Sequence, residues 1–258
     1  MNEKHTKHSL PGRVGRGKIL GIIPARYAST RFPGKPLVDI TGKVMIQRVY
    51  EQCVKCQSLD DVIIATDDER ILNHIHDFGG KAVMTSPDHQ SGTDRCAEVA
   101  ANYPEYEVVI NIQGDEPYID PVQISKVAAC FTTADTQIAT LIKKITVADD
   151  LHNINSPKVI INKLGEAIYF SRTPIPYQRG QESEQWLQHF TYFKHIGIYG
   201  FRSEILQAVT RLPISSLEKA ENLEQLRWIE NGYRIKVAET ELETQAVDTP
   251  EDLQRLPV

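Results

Sequence analysis

The sequence predicts an α/β fold, a mostly parallel mixed sheet flanked by helices. Three observations carry this reading. Short apolar runs alternate with stretches of helical spacing through the first half of the chain. The runs at 19–23, 62–65 and 108–112 are near-continuous, as in strands buried on both faces. Each of the three ends in a polar, charge-bearing loop.

Taken in order, 19–23 opens the fold as a buried strand. Met45, Ile46, Val49 and Cys53 recur at helical spacing. The strand at 62–65 runs into Thr66-Asp67-Asp68. Ile71, Leu72 and Ile75 mark a short helix that Gly79-Gly80 stops. Residues 81–85 form a strand, and Thr93 or Asp94 caps a helix over 96–103. A strand at 108–112, a helix at about 121–131 and a strand at 138–142 follow. Segments 158–162 and 167–171 flank Lys163-Leu164-Gly165-Glu166 as a hairpin. After a polar loop at 173–185, 193–201 is a strand. Residues 217–231 form one helix presenting Leu217, Ala220, Leu223, Leu226 and Ile229. A last strand spans 233–238, and Thr249-Pro250-Glu251 opens a closing helix with Pro in its first turn. No repeat or low-complexity linker interrupts residues 18–258, which read as one domain. About 150–202 holds the hairpin and is the expected dimerisation region. Residues 1–17, MNEKHTKHSLPGRVGRG, lack apolar periodicity and read as a flexible N-terminal extension outside the fold.

The 258 residues are 41% hydrophobic and 24% charged, which suits a soluble protein with a real core. A net charge of −5 argues against a general nucleic-acid binder but leaves room for a local basic cleft. No apolar run approaches the roughly 18 residues of a membrane span. Cys53-Val54-Lys55-Cys56 has the spacing of a redox or zinc pair. No second pair or nearby His completes a site, so the expectation is two thiols on an amphipathic helix. Reduced cysteines and no signal peptide predict a cytoplasmic location.

Ligands of parallel sheets sit beyond the carboxyl ends of the strands. That rule gathers the loops after 23, 65 and 112 at one rim. The first, within IIPARYASTRFPGKP, sets Arg26, Arg31 and Lys35 around small residues and closes at Pro33-Gly34. It looks like an anion cradle, yet it is neither G-x-G-x-x-G nor G-x-x-x-x-G-K-[ST]. Gln113-Gly114-Asp115-Glu116-Pro117 puts Asp115 at the rim, although the same residues make an ordinary turn. Asp248 is a second acid, or else the cap of the last helix. Together these parts suit transfer at a nucleoside triphosphate: cations hold polyphosphate oxygens, and two carboxylates hold a hard divalent ion that bridges them. The polar loop 85–95 reads either as base recognition or as a solvated connection.

IPARYASTRFPGKPL, ATDDE, HQSGTDR, QGDEP, YFSR, KHIGIYGFR, LEQLR and VDTPEDL, in this order between about Lys18 and Leu256, resemble the 3-deoxy-manno-octulosonate (Kdo) cytidylyltransferases. These belong to the sugar nucleotidyltransferase superfamily. The RYASTR-x-PGKP form favours this branch over the similar CMP-sialate synthetases. The resemblance implies a Rossmann-like nucleotide-diphospho-sugar transferase fold and the reaction CTP + Kdo → CMP-Kdo + pyrophosphate. It implies Mg²⁺ at Asp115 and Asp248, and a triphosphate held by Arg26, Ser29, Arg31 and Lys35. Lys35, Arg26 and Asp115 would be the catalytic groups. Cytidine would sit near Ala25, Asp67, Ser91, Gly92 and Arg95, and the sugar acid at Gln113, Arg172, His195, Glu224 and Gln225. A homodimer and a role in lipopolysaccharide synthesis are implied too, with no nucleic-acid or membrane partner.

Each sugar-side residue also has a plainer reading. Arg172 suits a strand-end surface position, His195 a core histidine, and Glu224 with Gln225 a solvated helix face. Phe32 stands where the family often has Leu. The nearest rival is a cytidylyltransferase for 8-amino-Kdo or a sialic-acid-like sugar. A dinucleotide-dependent oxidoreductase is opposed by the missing G-x-G-x-x-G after the first strand. A catalytically silent binder is opposed by intact Asp115, Asp248 and Lys35.

Overall fold

Continuous apolar strands need cover on both faces, and this chain supplies it with helices. In the computed structural model, residues 17–28 and 31–256 are described. The expected N-terminal extension therefore lies outside the described residues, apart from Gly17. The strands are β1 (Ile19–Ala25), β2 (Asp39–Ile40), β3 (Lys43–Val44), β4 (Asp61–Thr66), β5 (Ala82–Met84), β6 (Val108–Asn111), β7 (Ile138–Lys144), β8 (Lys158–Ile161), β9 (Ala167–Ser171), β10 (Phe193–Arg202) and β11 (Ile235–Glu239). One sheet runs β11-β7-β10-β6-β1-β4-β5, with β8 paired to β10 and β9 to β8, while β2 and β3 form a separate ribbon. Along that path every strand points the same way except β10. The mostly parallel mixed sheet is thus the observed one.

The helices are α1 (Met45–Val54), α2 (Glu69–Asp77), α3 (Gly92–Ala101), α4 (Pro121–Ala129), α5 (Ala148–His152), α6 (Trp186–His189), α7 (Ser203–Val209), α8 (Ser216–Glu221) and α9 (Gln225–Glu230). On one face Ile46 and Val49 of α1, Ile71 and Ile75 of α2 and Ile124 and Val127 of α4 pack with Ile23, Ile64 and Ile110. On the other, Cys96 and Val99 of α3, Leu206 and Val209 of α7 and Trp228 of α9 pack with Leu20, Ile22, Val109 and Phe201.

Several expected boundaries move. The single helix over 217–231 is two helices. Asn222 turns left-handed at φ 51°, a conformation that ends a helix and that Asn tolerates. Ala220 is exposed as a result, while Leu223 and Leu226 are buried. The helix expected at 96–103 begins at Gly92, because Ser91 rather than Thr93 or Asp94 is its cap. Ser91 and Asp94 complete a reciprocal capping box. The closing helix is a 3₁₀ turn over Pro250–Arg255, capped by Thr249. Helices α5, α6 and α7 were not anticipated; α7 follows β10 with no Gly or Pro between them. Cys53 lies on α1, but Cys56 falls just past its end, and both are buried, free thiols.

The reversed strand shapes the functional rim. β6 stops at Asn111, opposite Tyr199 of β10. β10 reaches beyond that point, and at Phe193 and Lys194 its partner is β8 of the hairpin. The space past the end of β6 is where the next residues, 113–117, form their loop. No described helix is long and apolar enough to cross a membrane.

Gly200 of β10 lies directly under α4. A Cβ there would stand 2.6 Å from the Phe131 ring and 2.8 Å from Val127 Cγ1. Both neighbours are sealed in the core. Gly200→Ala should lower stability by ~1–3 kcal/mol through overpacking, read as a lower urea midpoint with an unchanged slope.

Candidate active site

β1 ends at Ala25, and the chain then needs a loop that returns on itself. Gly34 makes the return at φ 73°, and its N–H donates to the Tyr27 carbonyl at 2.9 Å. Tyr27 is held in turn by the Arg70 guanidinium, 3.3 Å from the ring centroid. Lys35 and Pro36 follow in a 3₁₀ turn that carries the Lys35 side chain back over the strand ends. Gly114, after β6, lies so close to β1 that a Cβ would meet the Pro24 carbonyl oxygen at 2.7 Å. A residue with a side chain would push Asp115 away from the β1 loop.

Asp115 arrives from the end of β6, and Asp248 from the far end of the sequence. Two links stitch the segments together. Val247 N–H donates to the Asp115 carbonyl at 2.9 Å, and the Thr244 hydroxyl donates to Glu116. Burial pushes the Glu116 carboxyl up to about 7, opposed by that Thr244 hydrogen bond. Asp248 does not cap the closing 3₁₀ turn. That role belongs to Thr249, and the Asp248 carboxylate turns to the cations instead. Lys35 Nζ is 2.8 Å from Asp115 Oδ2 and 3.5 Å from Asp248 Oδ1, and Arg31 reaches Asp248 Oδ1 at 2.9 Å. Two acids distant in sequence thus share one ammonium.

These residues border a cleft of about 390 Å³. It brings together Ala25, Arg26, Arg31, Lys35, Gly92, Arg95, Gln113, Asp115 and Asp248 of the expected site, and adds Met45 and Gly114. Arg95 is only 1% exposed and is tied at 2.7 Å to Asp67 and also to Thr85. Asp67 therefore anchors Arg95 from beneath, without lining the cleft itself. Ser29 lies outside the described residues.

The expected sugar residues divide. Ser91 and Thr93 donate to Glu224 at 3.2 and 2.9 Å, so Glu224 locks the start of α3 to the α8–α9 turn. Burial raises its pKa, more than the Thr93 hydrogen bond lowers it. The solvated-face reading fails for Glu224 and for the buried Gln225. Arg172 is not brought to the cleft. Its guanidinium donates to the carbonyls of Glu221, Ile154 and Asn222. His195 borders a second cavity of about 470 Å³ that meets the first at Asp248. Glu116, Asp150, Lys194 and Glu243 line it as well. Lys194 is 5% exposed and bridges Asp150 at 2.9 Å and Glu243 at 2.6 Å. Sequence reasoning passed over Lys194, Glu116 and Thr140. The second acid of GDEP and a lone hydroxyl inside the apolar run IATLI were the available signals.

Among the described residues no group of three or more His, Cys, Asp or Glu is arranged to hold a metal ion. The two converging carboxylates are hard oxygen donors that already gather around a cation. They fit an ion such as Mg²⁺, which takes one or two protein carboxylates and completes its shell with water and phosphate.

A cytidylyltransferase family model matches residues 20–236. The 3-deoxy-manno-octulosonate cytidylyltransferase of Parabacteroides distasonis is 58% identical over 92% of this chain and 96% of its own length. The enzyme of the same name from Bacteroides thetaiotaomicron is 57% identical with the same coverage, 92% and 96%. The solved structure of CMP:2-keto-3-deoxy-manno-octonic acid synthetase complexed with CTP superposes with a TM-score of 0.86 at 42% identity, over 93% of this chain and 96% of that one. The chain belongs to the cytidylyltransferase family, in the branch of the 3-deoxy-manno-octulosonate cytidylyltransferases.

Proposed function

We propose that this protein transfers CMP from CTP to the anomeric hydroxyl of Kdo, releasing pyrophosphate. The observation that carries the reading is the meeting of Asp115, Asp248 and Lys35 in a cleft flanked by Arg26, Arg31 and Arg95. Such a cleft takes a polyanion and a divalent cation together. Asp115 and Asp248 would hold Mg²⁺, which supplies charge neutralisation across the phosphate oxygens when bound.

The reaction joins two anions, since Kdo is a carboxylate and the α-phosphate is charged. The chain's own cations offset that repulsion. Arg26 borders the cleft without an ion-pair partner among the described residues, so it is available to a phosphate. Arg31 and Lys35 hold Asp248 and Asp115 and face the same space. Lys35 would stabilise the charge that builds on pyrophosphate as its bond to the α-phosphorus breaks and the sugar oxygen bonds in its place. Arg95, pinned by Asp67 and Thr85, and Gly92 at the start of α3 would meet the cytidine end. Gln113 and His195 would meet the sugar acid, with Glu224 and Gln225 behind. Arg172, fixed on three carbonyls, would act by holding the α8–α9 turn.

A CTP-consuming reaction and four free cysteines suit the cytoplasm. The product would serve lipopolysaccharide synthesis. A homodimer through region 150–202 is supported by its exposed apolar side chains: Ile154, Leu164, Ile168, Tyr177 and Phe190, five of the eleven large exposed ones among the described residues.

Pyrophosphate release is expected with CTP, Mg²⁺ and freshly prepared Kdo, and little with 8-amino-Kdo or N-acetylneuraminate. A preference for either alternative would reassign the sugar, and EDTA should stop turnover. Asp115→Ala should cut kcat by on the order of a hundredfold or more with an unchanged melting curve. Equal activity would remove Asp115 from the metal site. Asp248→Asn should raise the Mg²⁺ concentration needed for half-maximal rate. Sedimentation should give a dimer, and Ile168→Glu should yield monomer; a monomeric parent chain would reject the assembly.

A further inference from the structure

β10 and β7 change register between Ile196 and Tyr199. Ile196 pairs with Leu141 and Tyr199 with Thr140, so Gly197 and Ile198 are extra on β10. Thr140, fully buried, sits against this bulge. Its Oγ1 is 2.7 Å from the Ile198 carbonyl oxygen, 3.3 Å from that of Ile196 and 2.9 Å from His195 Nε2.

A hydroxyl has one proton to give. Carbonyl oxygens can only accept, and two oxygens at 2.7 Å with no proton between them repel. The Thr140 proton therefore goes to the bulge. Only lone pairs remain for the histidine, so Nε2 must carry the hydrogen of that contact. Burial pushes the His195 pKa down to about 3, which keeps the ring neutral near pH 7. A neutral imidazole has one N–H, and Nδ1 is left as a bare acceptor. Nδ1 makes no hydrogen bond to a described residue. Nor is it among the sealed side-chain atoms without a partner, which are His74 Nε2, Asn111 Oδ1, Gln123 Oε1 and Tyr199 OH. The Phe170 and Tyr199 rings, with centroids 5.3 and 5.1 Å away, fix the plane of the imidazole.

We propose that Thr140 is a positioning residue: by giving its proton to the β10 bulge it sets His195 as the Nε2–H tautomer, leaving Nδ1 to accept a hydrogen bond from a hydroxyl of the sugar acid. This rests on the reading of His195 as a sugar-side residue. It adds a chemical constraint, that the sugar must present a donor at this point. A hydroxyl meets it, and an ether or carboxylate oxygen does not.

Long-range ¹H–¹⁵N spectra of histidine-labelled protein read the tautomer directly. The expected spectrum shows Nε2–H for His195 in the parent chain, assigned by its loss in His195→Gln. Thr140→Val should give a mixed or Nδ1–H ring. It should also raise KM for Kdo roughly tenfold, with KM for CTP little changed. Thr140→Ser, which keeps the hydroxyl, should restore both the tautomer and KM. An Nδ1–H ring in the parent chain would overturn the proposal, as would Thr140→Val with the parent KM for Kdo. If the variant is too unstable to assay, Thr140→Ser carries the test, and a raised KM there despite an Nε2–H ring would also overturn it. Parent enzyme that turns over no sugar acid would instead reject the function proposed above, and the spectrum would still report the tautomer.

Discussion

Two ionised carboxylates repel one another unless a cation or a shared proton offsets their charge, and the rim of this protein is organised around that constraint. Asp115 and Asp248 are 133 positions apart in sequence, yet both lie within reach of the Lys35 ammonium. The attraction is only partly screened, because the Lys35 side chain is 14% exposed. Neighbouring features serve this meeting. Gly34 returns the loop that bears Lys35, Gly114 lets the β6 loop press against β1, and Val247 and Thr244 tie the C-terminal segment to Asp115 and Glu116. On the proposed reading, Asp115 and Asp248 would hold a divalent ion at the oxygens that face Lys35, and a triphosphate would give that ammonium a new partner.

The reversed strand β10 governs the other half of the site. Because β6 ends early, the first half of β10 loses β6 as a neighbour; it stays paired with β7 and takes β8 of the hairpin on its other side. His195 stands in this half, and the bulge beside it is plugged by Thr140. The second cavity opens here and joins the cleft at Asp248. On the proposed reading, the nucleotide end would depend on parallel strand termini and the sugar end on the antiparallel strand β10. The α8–α9 turn connects the two, through Glu224 on the start of α3 and Arg172 on the carbonyls of Glu221 and Asn222.

Local patterns carried much of this. The apolar runs of β1, β4 and β6 fixed the rim, and the loops after them gathered where parallel-sheet geometry requires. The hairpin turn at Gly165 was legible from the strand-like runs that flank Lys163-Leu164-Gly165-Glu166. What was not legible depends on contacts between distant segments. Asp248 read either as the second acid or as a helix cap, because nothing near it in sequence reveals which segment it meets. Arg172 read as a surface or sugar residue because its three acceptors are backbone carbonyls, which carry no sequence signature. Asn222 broke an otherwise continuous helical pattern, since one left-handed residue hardly disturbs the spacing of Leu217, Leu223 and Leu226. Thr140 resembled any small polar residue in a strand until the bulge opposite gave it acceptors.

The most direct test of the central claim is a titration of Mn²⁺, followed by electron paramagnetic resonance, with and without CTP and in the absence of sugar. If Asp115 and Asp248 are held by Lys35 until a triphosphate draws that ammonium away, the ion should bind weakly to the free protein and much more tightly with CTP. CTP should in turn gain the same factor in affinity from the ion. Equal Mn²⁺ affinity with and without nucleotide would contradict the exchange, and tight nucleotide binding with no bound ion in either case would contradict the metal site itself.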